Sequence, residues 1–295
     1  MSAATNAATM PAGRSPADVP ASAEPILVVS DIVKRFETPD GILTAVDHVS
    51  LTVAPGEFVG VIGPSGCGKS TLFNIIGGLL DGYEGTVRVA DELIKGPHPS
   101  IGMIFQEEST FPWRTVIDNV AFPLEIAGLP KAERYDRARH FVGLVGLSGF
   151  ERRYPTELSG GMRQRVSMAR TLAAEPKIML MDEPFASLDE QTRLLLGDKV
   201  LQIQQQLKQT TLLITHNITE AVQLSDRILV MTYRPAKVKR IVDIHLPRPR
   251  TSEIVSSEAF GRYVAQIWSD LREEATRGLS EDEAKTLQGG GTHAQ

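Results

Sequence analysis

The stretch that decides the fold reads Gly63-Pro64-Ser65-Gly66-Cys67-Gly68-Lys69-Ser70. It fits the pattern G-x-x-x-x-G-K-[ST] and lies between a predicted strand, Glu57 to Gly63, and a predicted helix, Lys69 to Leu80. Glycines let such a loop curl so that its backbone N–H groups face a phosphate, and the following helix N-terminus adds positive potential. The pattern and its context therefore predict a site for a nucleoside triphosphate.

Three residues of this loop carry specific chemical expectations. The Lys69 ammonium can reach the β- and γ-phosphates of a bound nucleotide, and the Ser70 hydroxyl can bind Mg²⁺. Cys67 lies at a helix N-terminus beside a lysine, an environment that lowers the pKa of a thiol. We therefore expect Cys67 to be accessible in the empty site and protected when ATP binds.

Two acidic residues follow a strongly apolar predicted strand, Ile178 to Met181. In open α/β sheets, ligands bind at the carboxyl ends of the strands, so Asp182 and Glu183 are expected beside the phosphate site. Asp182 would hold Mg²⁺, through water, and Glu183 would polarise the attacking water. The pair means little alone, because many strands end in Asp or Glu, but it gains meaning beside the phosphate loop.

Short apolar runs alternate with helical patterns along the rest of the chain, which predicts a layered α/β fold with a largely parallel sheet. The other predicted strands are Ile26 to Val29, Thr86 to Val89, Ile101 to Phe105, Leu212 to Thr215 and Ile228 to Met231. The other predicted helices begin at the N-caps Thr115 and Ser159, or run from Gln191 to Leu207.

Composition restricts the function classes. The net charge of −5 argues against a dedicated nucleic-acid binder, which would carry a basic face, so no nucleic-acid partner is expected. One cysteine allows no internal disulfide, which fits a reducing compartment. No stretch approaches the roughly 18 apolar residues of a spanning helix, so any work at a membrane would require docking on partners.

The two ends of the chain are predicted to lie outside the main domain. Residues 1–25 have no secretory pattern and are expected to form a disordered tail. Two prolines, Pro247 and Pro249, mark the start of a C-terminal helical extension over 247–277, followed by a flexible tail over 278–295. The apolar residues of the extension fall on one helical face, which is expected to pack on the main domain: Phe260, Val264, Ile267, Trp268 and Leu271.

A second motif, Leu158-Ser159-Gly160-Gly161-Met162-Arg163-Gln164-Arg165, closely resembles the signature of the ABC ATPases. Other family motifs appear in the usual order. They are Phe36, where the family places an aromatic ring under the adenine, Gln106 like the Q-loop glutamine, Ser187-Leu188-Asp189 like the D-loop, and His216 like the switch histidine. The resemblance covers about residues 26–245, and this set of motifs is very specific.

The resemblance implies a P-loop NTPase domain of the ABC type over residues 26–246. Its expected parts are a RecA-like core, an antiparallel β portion and a helical insertion at about 107–158. The implied cofactors are ATP and Mg²⁺. The implied catalytic residues are Glu183, His216, Gln106 and Lys69, and the implied metal ligands are Ser70, Gln106 and Asp182. The implied nucleotide contacts are Phe36, the whole loop from Gly63 to Ser70, Thr71, Ser159, Gly160, Gly161 and Asp189.

The family pattern also implies a second copy as partner. Two such domains pair head-to-tail, so that the Ser159 hydroxyl and the following N–H groups face the γ-phosphate held by the other. The expected state is a homodimer in which ATP joins the two domains. One position departs from the family: the fifth signature residue, commonly Gln, is Met162. We expect a small effect, because the serine and glycines carry the phosphate contact.

Several functions compete within this resemblance. A soluble ABC protein of DNA repair would need a long coiled coil, for which the stretch between Ser70 and Asp182 is too short; translation factors usually carry two cassettes. A P-loop kinase or GTPase would not explain the signature, and exporters often fuse membrane helices to the ATPase. An ATPase of a transporter is thus favoured, with a soluble ABC ATPase or a transporter for another substrate as the alternative.

The segment after Gln106 narrows the transporter class. Phe111-Pro112-Trp113-Arg114-Thr115-Val116-Ile117-Asp118-Asn119-Val120 looks like the nitrate, sulfonate and taurine importer branch. The implied partners are transmembrane permease subunits and, indirectly, a solute-binding protein, with the chain at the cytoplasmic face of the inner membrane. The substrate itself cannot be read, because its contacts lie in other chains. The permease docking surface is expected to be centred on Phe111, Trp113 and Val116. The alternative is that Trp113 fills the core of the helical insertion.

Overall fold

The computed structural model describes residues 24–39, 41–106 and 109–289, the last part without the side chains of residues 279 and 281–289. Its strands are β1 Leu27–Thr38, β2 Gly41–Val53, β3 Phe58–Ile62, β4 Glu84–Val89, β5 Glu92–Leu93, β6 Ile101–Ile104, β7 Ile178–Asp182, β8 Thr210–Ile214, β9 Arg227–Met231 and β10 Val238–Asp243. Its α-helices are α1 Lys69–Ile76, α2 Val116–Ile126, α3 Lys131–Leu144, α4 Gly160–Ala173, α5 Glu190–Leu207, α6 Ile218–Leu224 and α7 Glu258–Gly289.

The main sheet has the strand order β10-β9-β3-β8-β7-β6. All neighbouring pairs are parallel except β9 and β10. Strands β3, β8 and β9 are buried at every residue, as expected for parallel strands that are covered on both faces. The carboxyl ends of β3, β7 and β8 meet at one edge of this sheet, which confirms the predicted α/β class and brings three sequence motifs together.

A second, antiparallel sheet has the order β2-β1-β4-β5 and was predicted only in part. The sequence pattern predicted the start of β1 and the end of β4 but did not predict β2. Strand β1 changes register against β2 three times between Val29 and Arg35, and Asp31 and His48 adopt a left-handed φ of 53°. Such bulges interrupt the alternation of apolar and polar residues on which a strand prediction depends.

The helical insertion lies between β6 and α4, within the predicted range. Helices α2 and α3 pack on α4 around a buried cluster that includes Phe141, Val120 and Leu172. Both predicted N-caps are present: the Thr115 hydroxyl accepts from the Asp118 N–H, and the Ser159 hydroxyl accepts from the N–H three residues later.

The C-terminal extension packs on the main domain through α7. Phe260 and Ile267 are buried against α6 and β9, as predicted. Trp268 departs from the predicted apolar face, because 60% of its surface is exposed. Among the helices of the described residues, none is both long enough and apolar enough to cross a membrane.

The end of this helix corrects the predicted boundary at residue 277. Helix α7 continues to Gly289, so residues 278–289 are helical and were wrongly assigned to a flexible tail; residues 290–295 and 1–23 lie outside the described residues. Gly278 is buried, and a Cβ built on it would lie 2.8 Å from the Tyr233 ring. The glycine that suggested a loose tail thus permits close packing, and the Glu, Ala, Lys and Leu residues after it are good helix formers.

Candidate functional site

An open cleft of about 510 Å³ lies where the phosphate loop meets the antiparallel sheet. It contains most of the nucleotide contacts implied by the sequence. Its lining residues are Phe36, Leu43, Thr44, Ala45, Ser65, Gly66, Cys67, Gly68, Lys69, Ser70, Thr71, Gln106, Glu183 and Arg234. Phe36 is half-buried at the rim of the cleft, with the Lys34 ammonium 4.9 Å from its ring centroid. The structure thus places Phe36, Gln106 and Glu183 in one space, although they are far apart in the sequence.

The conformation of the phosphate loop depends on its glycines. Gly66 and Gly68 have φ values of 69° and 121°, which side-chain-bearing residues rarely adopt. A Cβ on Gly68 would lie 2.5 Å from the carbonyl oxygen of Ala45. The Lys69 side chain is buried, and its ammonium donates to the carbonyl oxygens of Gly63 and Pro64 at 2.8 and 2.9 Å. These two residues therefore hold the lysine in place from behind the cleft.

The expectation for Cys67 is wrong. Only 1% of its surface is exposed, although it lies in the loop. Burial raises the pKa of the thiol above its usual value, and the opposing effect of the Lys69 charge is smaller. The helix N-terminus and the lysine are both present, as the sequence indicated, but burial of the sulfur outweighs them.

The predicted metal and catalytic acids lie at the carboxyl end of β7. The Ser70 hydroxyl lies 3.5 Å from a carboxylate oxygen of Asp182. Burial, with a contribution from the neighbouring Glu183 charge, raises the pKa of Asp182 against the effect of the Ser70 hydrogen bond. A carboxylate in such surroundings gains stability from a nearby cation.

Glu183 is held by its backbone and by a histidine. It adopts a φ of 45°, a left-handed conformation that is uncommon for a residue with a side chain. Its N–H donates to the carbonyl oxygen of Ile214 on the neighbouring strand at 2.9 Å. Its carboxylate lies 2.9 Å from Nδ1 of His216, whose side chain is 54% exposed. The structure therefore joins the two predicted catalytic residues directly.

A buried acid behind the switch histidine was missed in the sequence. Glu220 on α6 accepts a hydrogen bond from the Thr215 hydroxyl at 3.1 Å, and its N–H donates to the Asn217 side chain. Its other carboxylate oxygen has no hydrogen-bond partner among the described residues. Burial raises the pKa of Glu220 to about 7. Nothing in the sequence distinguishes this glutamate from one on the surface of a helix.

The signature residues lie elsewhere on the surface. Ser159 is exposed, and its hydroxyl accepts from the Met162 N–H at 3.3 Å. Ser159 and Gly161 border a shallow depression of about 300 Å³ together with Thr192. Asp189 caps α5, and hydrogen bonds from Thr192 lower its pKa. Ser159, Gly160, Gly161 and Asp189 are therefore implied nucleotide contacts that the structure does not bring to the cleft of their own chain.

The departure from the family signature has a structural role. Met162 is partly buried and packs against an apolar cluster with residues from the main sheet and from α2 to α5. Its side chain thus makes an apolar contact where the family commonly has a glutamine.

The described residues from Ser109 onward form a hydrogen-bonded segment with an exposed tryptophan. The side chain of Asn119, which is fully buried, donates to the carbonyl oxygens of Phe111, Arg114 and Thr115 and accepts from the Phe111 N–H. Trp113 is 73% exposed, whereas Val116 is fully buried, so the prediction that Val116 belongs to the docking surface is wrong. The interpretation of Trp113 as a core residue of the helical insertion is therefore wrong.

Four residues of the cleft were not predicted. Leu43, Thr44 and Ala45 belong to β2, the missed strand, and Arg234 belongs to the loop between β9 and β10. Arg234 follows no recognisable motif, and it reaches the cleft only because the chain returns to β2 at this point.

Comparisons with known proteins agree with this geometry. The family model described as ABC transporter matches residues 46–186. An uncharacterized ABC transporter ATP-binding protein of Methanocaldococcus jannaschii is 47% identical, over 86% of this chain and 94% of the relative. The nitrate import ATP-binding protein NrtD of Synechocystis sp. is 41% identical, over 85% and 96%. The aliphatic sulfonates import ATP-binding protein SsuB of Bacillus cereus is 40% identical, over 81% and 94%.

A solved structure shows the same architecture. It is the dimeric ATP-binding cassette MJ0796 in a post-hydrolysis state bound to ADP and Pi, which has 31% sequence identity and a TM-score of 0.64. The match covers 75% of this chain and 100% of the cassette. With the relatives above and the phosphate loop at the carboxyl end of β3, it leads to one conclusion: the chain belongs to the ABC transporter ATP-binding proteins and is an ABC-type ATPase.

Proposed function

We propose that this chain is the ATP-hydrolysing subunit of an importer for a small anionic solute such as nitrate, a sulfonate or taurine. The solute crosses the membrane through separate permease subunits, is delivered by a solute-binding protein, and the chain works at the cytoplasmic face of the inner membrane. The observation that supports this most is the exposed aromatic segment after Gln106, in a chain that is 40% to 41% identical to nitrate and sulfonate import subunits.

The positions of the side chains in and beside the cleft support the proposed hydrolytic roles. Lys69 neutralises the phosphate chain from inside the loop, and Gln106 senses the γ-phosphate from the end of β6. Glu183 accepts a proton from the attacking water, for which its 2.9 Å contact with His216 fixes the carboxylate. The histidine can in turn donate to the γ-phosphate, because more than half of its side chain is exposed.

The residues present fit a magnesium ion. Mg²⁺ prefers oxygen ligands and is commonly held by one or two protein groups together with substrate phosphates and waters. The hydroxyl of Ser70 and the carboxylate of Asp182 meet at 3.5 Å, and the raised pKa of Asp182 reflects a buried carboxylate that a cation would stabilise. Ser70, Asp182 and Gln106 would hold the ion, which neutralises the charge that develops on the transferring phosphate.

The complete site requires a second chain. Ser159, Gly160, Gly161 and Asp189 lie outside the cleft of their own chain, and the related cassette MJ0796 has been solved as a dimer. In a head-to-tail homodimer, the N-terminus of α4 from one chain would face the γ-phosphate held by the other. ATP would thus join two chains, and hydrolysis would release them.

The proposed docking surface for the permease is a group of three aromatic rings, of which Trp113 is exposed. The Phe111 ring packs against Phe122 and Trp113, with centroid distances of 4.8 and 5.6 Å. The Arg114 guanidinium lies 4.9 Å from the Phe122 ring centroid. Exposed aromatic and arginine side chains are the residues that most often dominate interface energies. Such a surface suits a short helix of a partner laid into a groove.

Hydrogen bonds connect this aromatic surface to α4, the helix that begins at the signature residues. Arg170, in the last turn of α4, donates to the carbonyl and hydroxyl oxygens of Ser109 at 2.7 Å each. Its guanidinium also lies 4.9 Å from the Phe111 ring centroid. Nucleotide-dependent movement of Gln106 would therefore reach the docking segment and α4 together.

Two tryptophans allow a matched test of docking. Trp113→Ala should abolish co-purification with the permease and leave the melting temperature and ATPase activity of the isolated chain unchanged, because the side chain is exposed. Trp268→Ala removes the other exposed tryptophan, on α7, and should leave assembly intact. Normal assembly of the Trp113 variant would exclude this residue from docking. Loss of assembly in both variants would show that the effect is not specific to Trp113 and would contradict its role in docking.

The importer function is tested with the permease that co-purifies with the tagged chain from its native membranes. The complex is reconstituted in vesicles with its solute-binding protein, and ATP-dependent uptake of nitrate, taurine and an alkanesulfonate is measured. Uptake of one of the three, absent with Glu183→Gln, is expected. ATP-dependent movement in the outward direction, or uptake of none of them, would contradict the proposal.

A further inference from the structure

Arg234 extends a guanidinium group into the nucleotide cleft. It is exposed and lines the same space as the phosphate loop and Phe36. Its Nε donates to the carbonyl oxygen of Gly66 at 3.0 Å, and a Cβ on Gly66 would lie 2.9 Å from its Nη2. A cation therefore lies directly against Gly66, in the middle of the phosphate loop, in addition to the buried Lys69.

The loop that carries Arg234 is fixed on the side of the antiparallel sheet. The N–H of Ala236 donates to the carbonyl oxygen of Ala45, and its own carbonyl oxygen accepts from the Asp47 N–H, both at 3.0 Å. The Thr232 hydroxyl closes the loop, since it donates to the Pro235 carbonyl and accepts from the backbone of the following turn. The position of Arg234 is thus determined by the sheet on one side.

Helix α7 fixes the loop on the other side. Glu274, which is 5% exposed, accepts from the N–H of Tyr233 at 3.0 Å with one carboxylate oxygen. Its other oxygen lies 2.8 Å from the ammonium of Lys239 on β10. One turn further, Gly278 lets the helix pack directly on the Tyr233 ring. The residue before Arg234 is therefore held by a buried carboxylate and by close packing with the C-terminal extension.

We propose that Arg234 binds the phosphate chain of the nucleotide and that helix α7 positions it there through Glu274. The proposal rests on the cleft being the ATP site. An arginine provides several N–H donors in a planar arrangement that matches phosphate oxygens, and only one of them is directed at Gly66. The C-terminal extension then serves the nucleotide site, from outside the segment that the family model matches.

Binding of a fluorescent ADP analogue to the purified full-length chain tests the arginine. Arg234→Ala should weaken binding about 10-fold, since hydrogen bonds between charged groups are among the stronger ones, and the loss should shrink at high salt. Because the phosphate chain is common to ATP and GTP, competition by the two nucleotides should weaken equally. An affinity within twofold of the wild type, or a loss confined to ATP, would overturn the assignment to phosphate.

A double-mutant cycle tests the positioning role of Glu274. Glu274→Ala should weaken binding about threefold to fivefold in the wild-type background and have no further effect in the Arg234→Ala background. If Glu274→Ala does not fold, the milder Glu274→Gln, which loses the charge that faces Lys239, is used in the same cycle. Equal losses in both backgrounds would show that Glu274 acts on the cleft without Arg234 and would overturn the positioning role.

Two controls separate this inference from the assignment of the cleft. Glu273→Gln alters the exposed neighbour, which also contacts Lys239, and should leave the affinity unchanged. Lys69→Ala should lose most nucleotide binding. If Lys69→Ala binds normally, the cleft is not the nucleotide site. If Lys69→Ala fails to bind while Arg234→Ala binds normally, only the role of Arg234 is wrong.

Discussion

The nucleotide cleft and the signature surface differ in the exposure of their polar side chains. In the cleft, Lys69 is buried and bonded to its own loop, and Glu183 is paired with His216. At the signature surface, Ser159 is exposed, and its hydroxyl caps its own helix beside a shallow depression. One chain thus contains most of a binding cleft, and its Ser159 surface lies outside the lining of that cleft. Under the proposed head-to-tail pairing, binding would belong to one chain and hydrolysis to two.

The largest expected effect lies in the cleft. Glu183→Gln should lower ATP hydrolysis by about 100-fold or more, because loss of a general base removes a factor of this order, whereas nucleotide affinity should stay near normal. The retained ATP should then hold the dimer together, which gel filtration with ATP would detect. Glu258→Gln, an exposed glutamate paired with Arg262 on α7, is the matched control. Near-normal turnover in Glu183→Gln would remove this residue from the mechanism.

The next effect lies at the signature surface. Ser159→Asp keeps a good N-cap residue for α4 but places a negative charge where the γ-phosphate of the partner is proposed to lie. The melting temperature and the nucleotide affinity of the single chain should remain unchanged, and hydrolysis should fall by at least about 10-fold. Weakened binding in the single chain would contradict the separation of the two surfaces.

A mixture of two inactive variants sharpens this prediction. Lys69→Ala damages the loop and Ser159→Asp damages the signature, so a head-to-tail heterodimer would contain one site with both defects and one intact site. Mixing should therefore restore hydrolysis that neither variant shows alone. If the mixture stays inactive while the dimer forms, the two surfaces do not meet in the predicted way.

The buried carboxyl group of Glu220 should make the stability of the fold depend on pH. Glu220 has a folded pKa of about 7, above its ordinary value, so the native state holds a proton that the unfolded chain releases. Stability should fall as the pH rises from about 4.5 through 7, by roughly 3 kcal/mol for this group. Glu220→Gln should flatten the melting temperature between pH 5 and 8 relative to the wild type. An equally steep profile in the variant would assign the effect to other groups.

The smallest effect concerns Cys67. Because the thiol is buried and its pKa is raised, a maleimide should react slowly, and Mg-ATP should change the rate by less than about twofold. Ser65 lies two residues earlier and is exposed. A Ser65→Cys change in a Cys67→Ser background should label quickly and be protected by ATP. Fast labelling of the native Cys67 would show that the loop opens in solution.

Features that depend on neighbours in the sequence were predictable. The phosphate loop, the acids after β7 and the caps of α2 and α4 each occupy a few consecutive residues, and the structure confirms the loop and cap geometry. The residue roles, including those of Glu183 and Gln106, remain predictions. Short sequence patterns indicate which side chains are present for binding and catalysis. The α/β class can be predicted because strands and helices alternate along the chain.

Features that depend on distant parts of the chain were not predictable. Arg234 enters the cleft because Ala236 pairs with β2, a strand whose bulged partner hides the apolar alternation. Cys67 follows a local rule for reactive thiols, yet the packing around it reverses the outcome. Gly278 resembles a helix breaker, yet it lies within α7, where the Tyr233 ring approaches so closely that only a residue without a Cβ fits. In each case a long-range contact decides the outcome.

Arg170 has a mechanical consequence. Helix α4 has 14 residues and is therefore about 20 Å long. The guanidinium that binds Ser109 belongs to its last turn, and Ser159 caps its N-terminus. Under the proposed permease docking and head-to-tail pairing, a displacement of the aromatic segment would be transmitted along α4 to Ser159, beside the nucleotide of the partner chain. Inserting one helical turn into α4, or weakening the contact to Ser109 with Arg170→Lys, would uncouple hydrolysis from transport. ATP would still be hydrolysed, but hydrolysis would no longer drive movement of the solute.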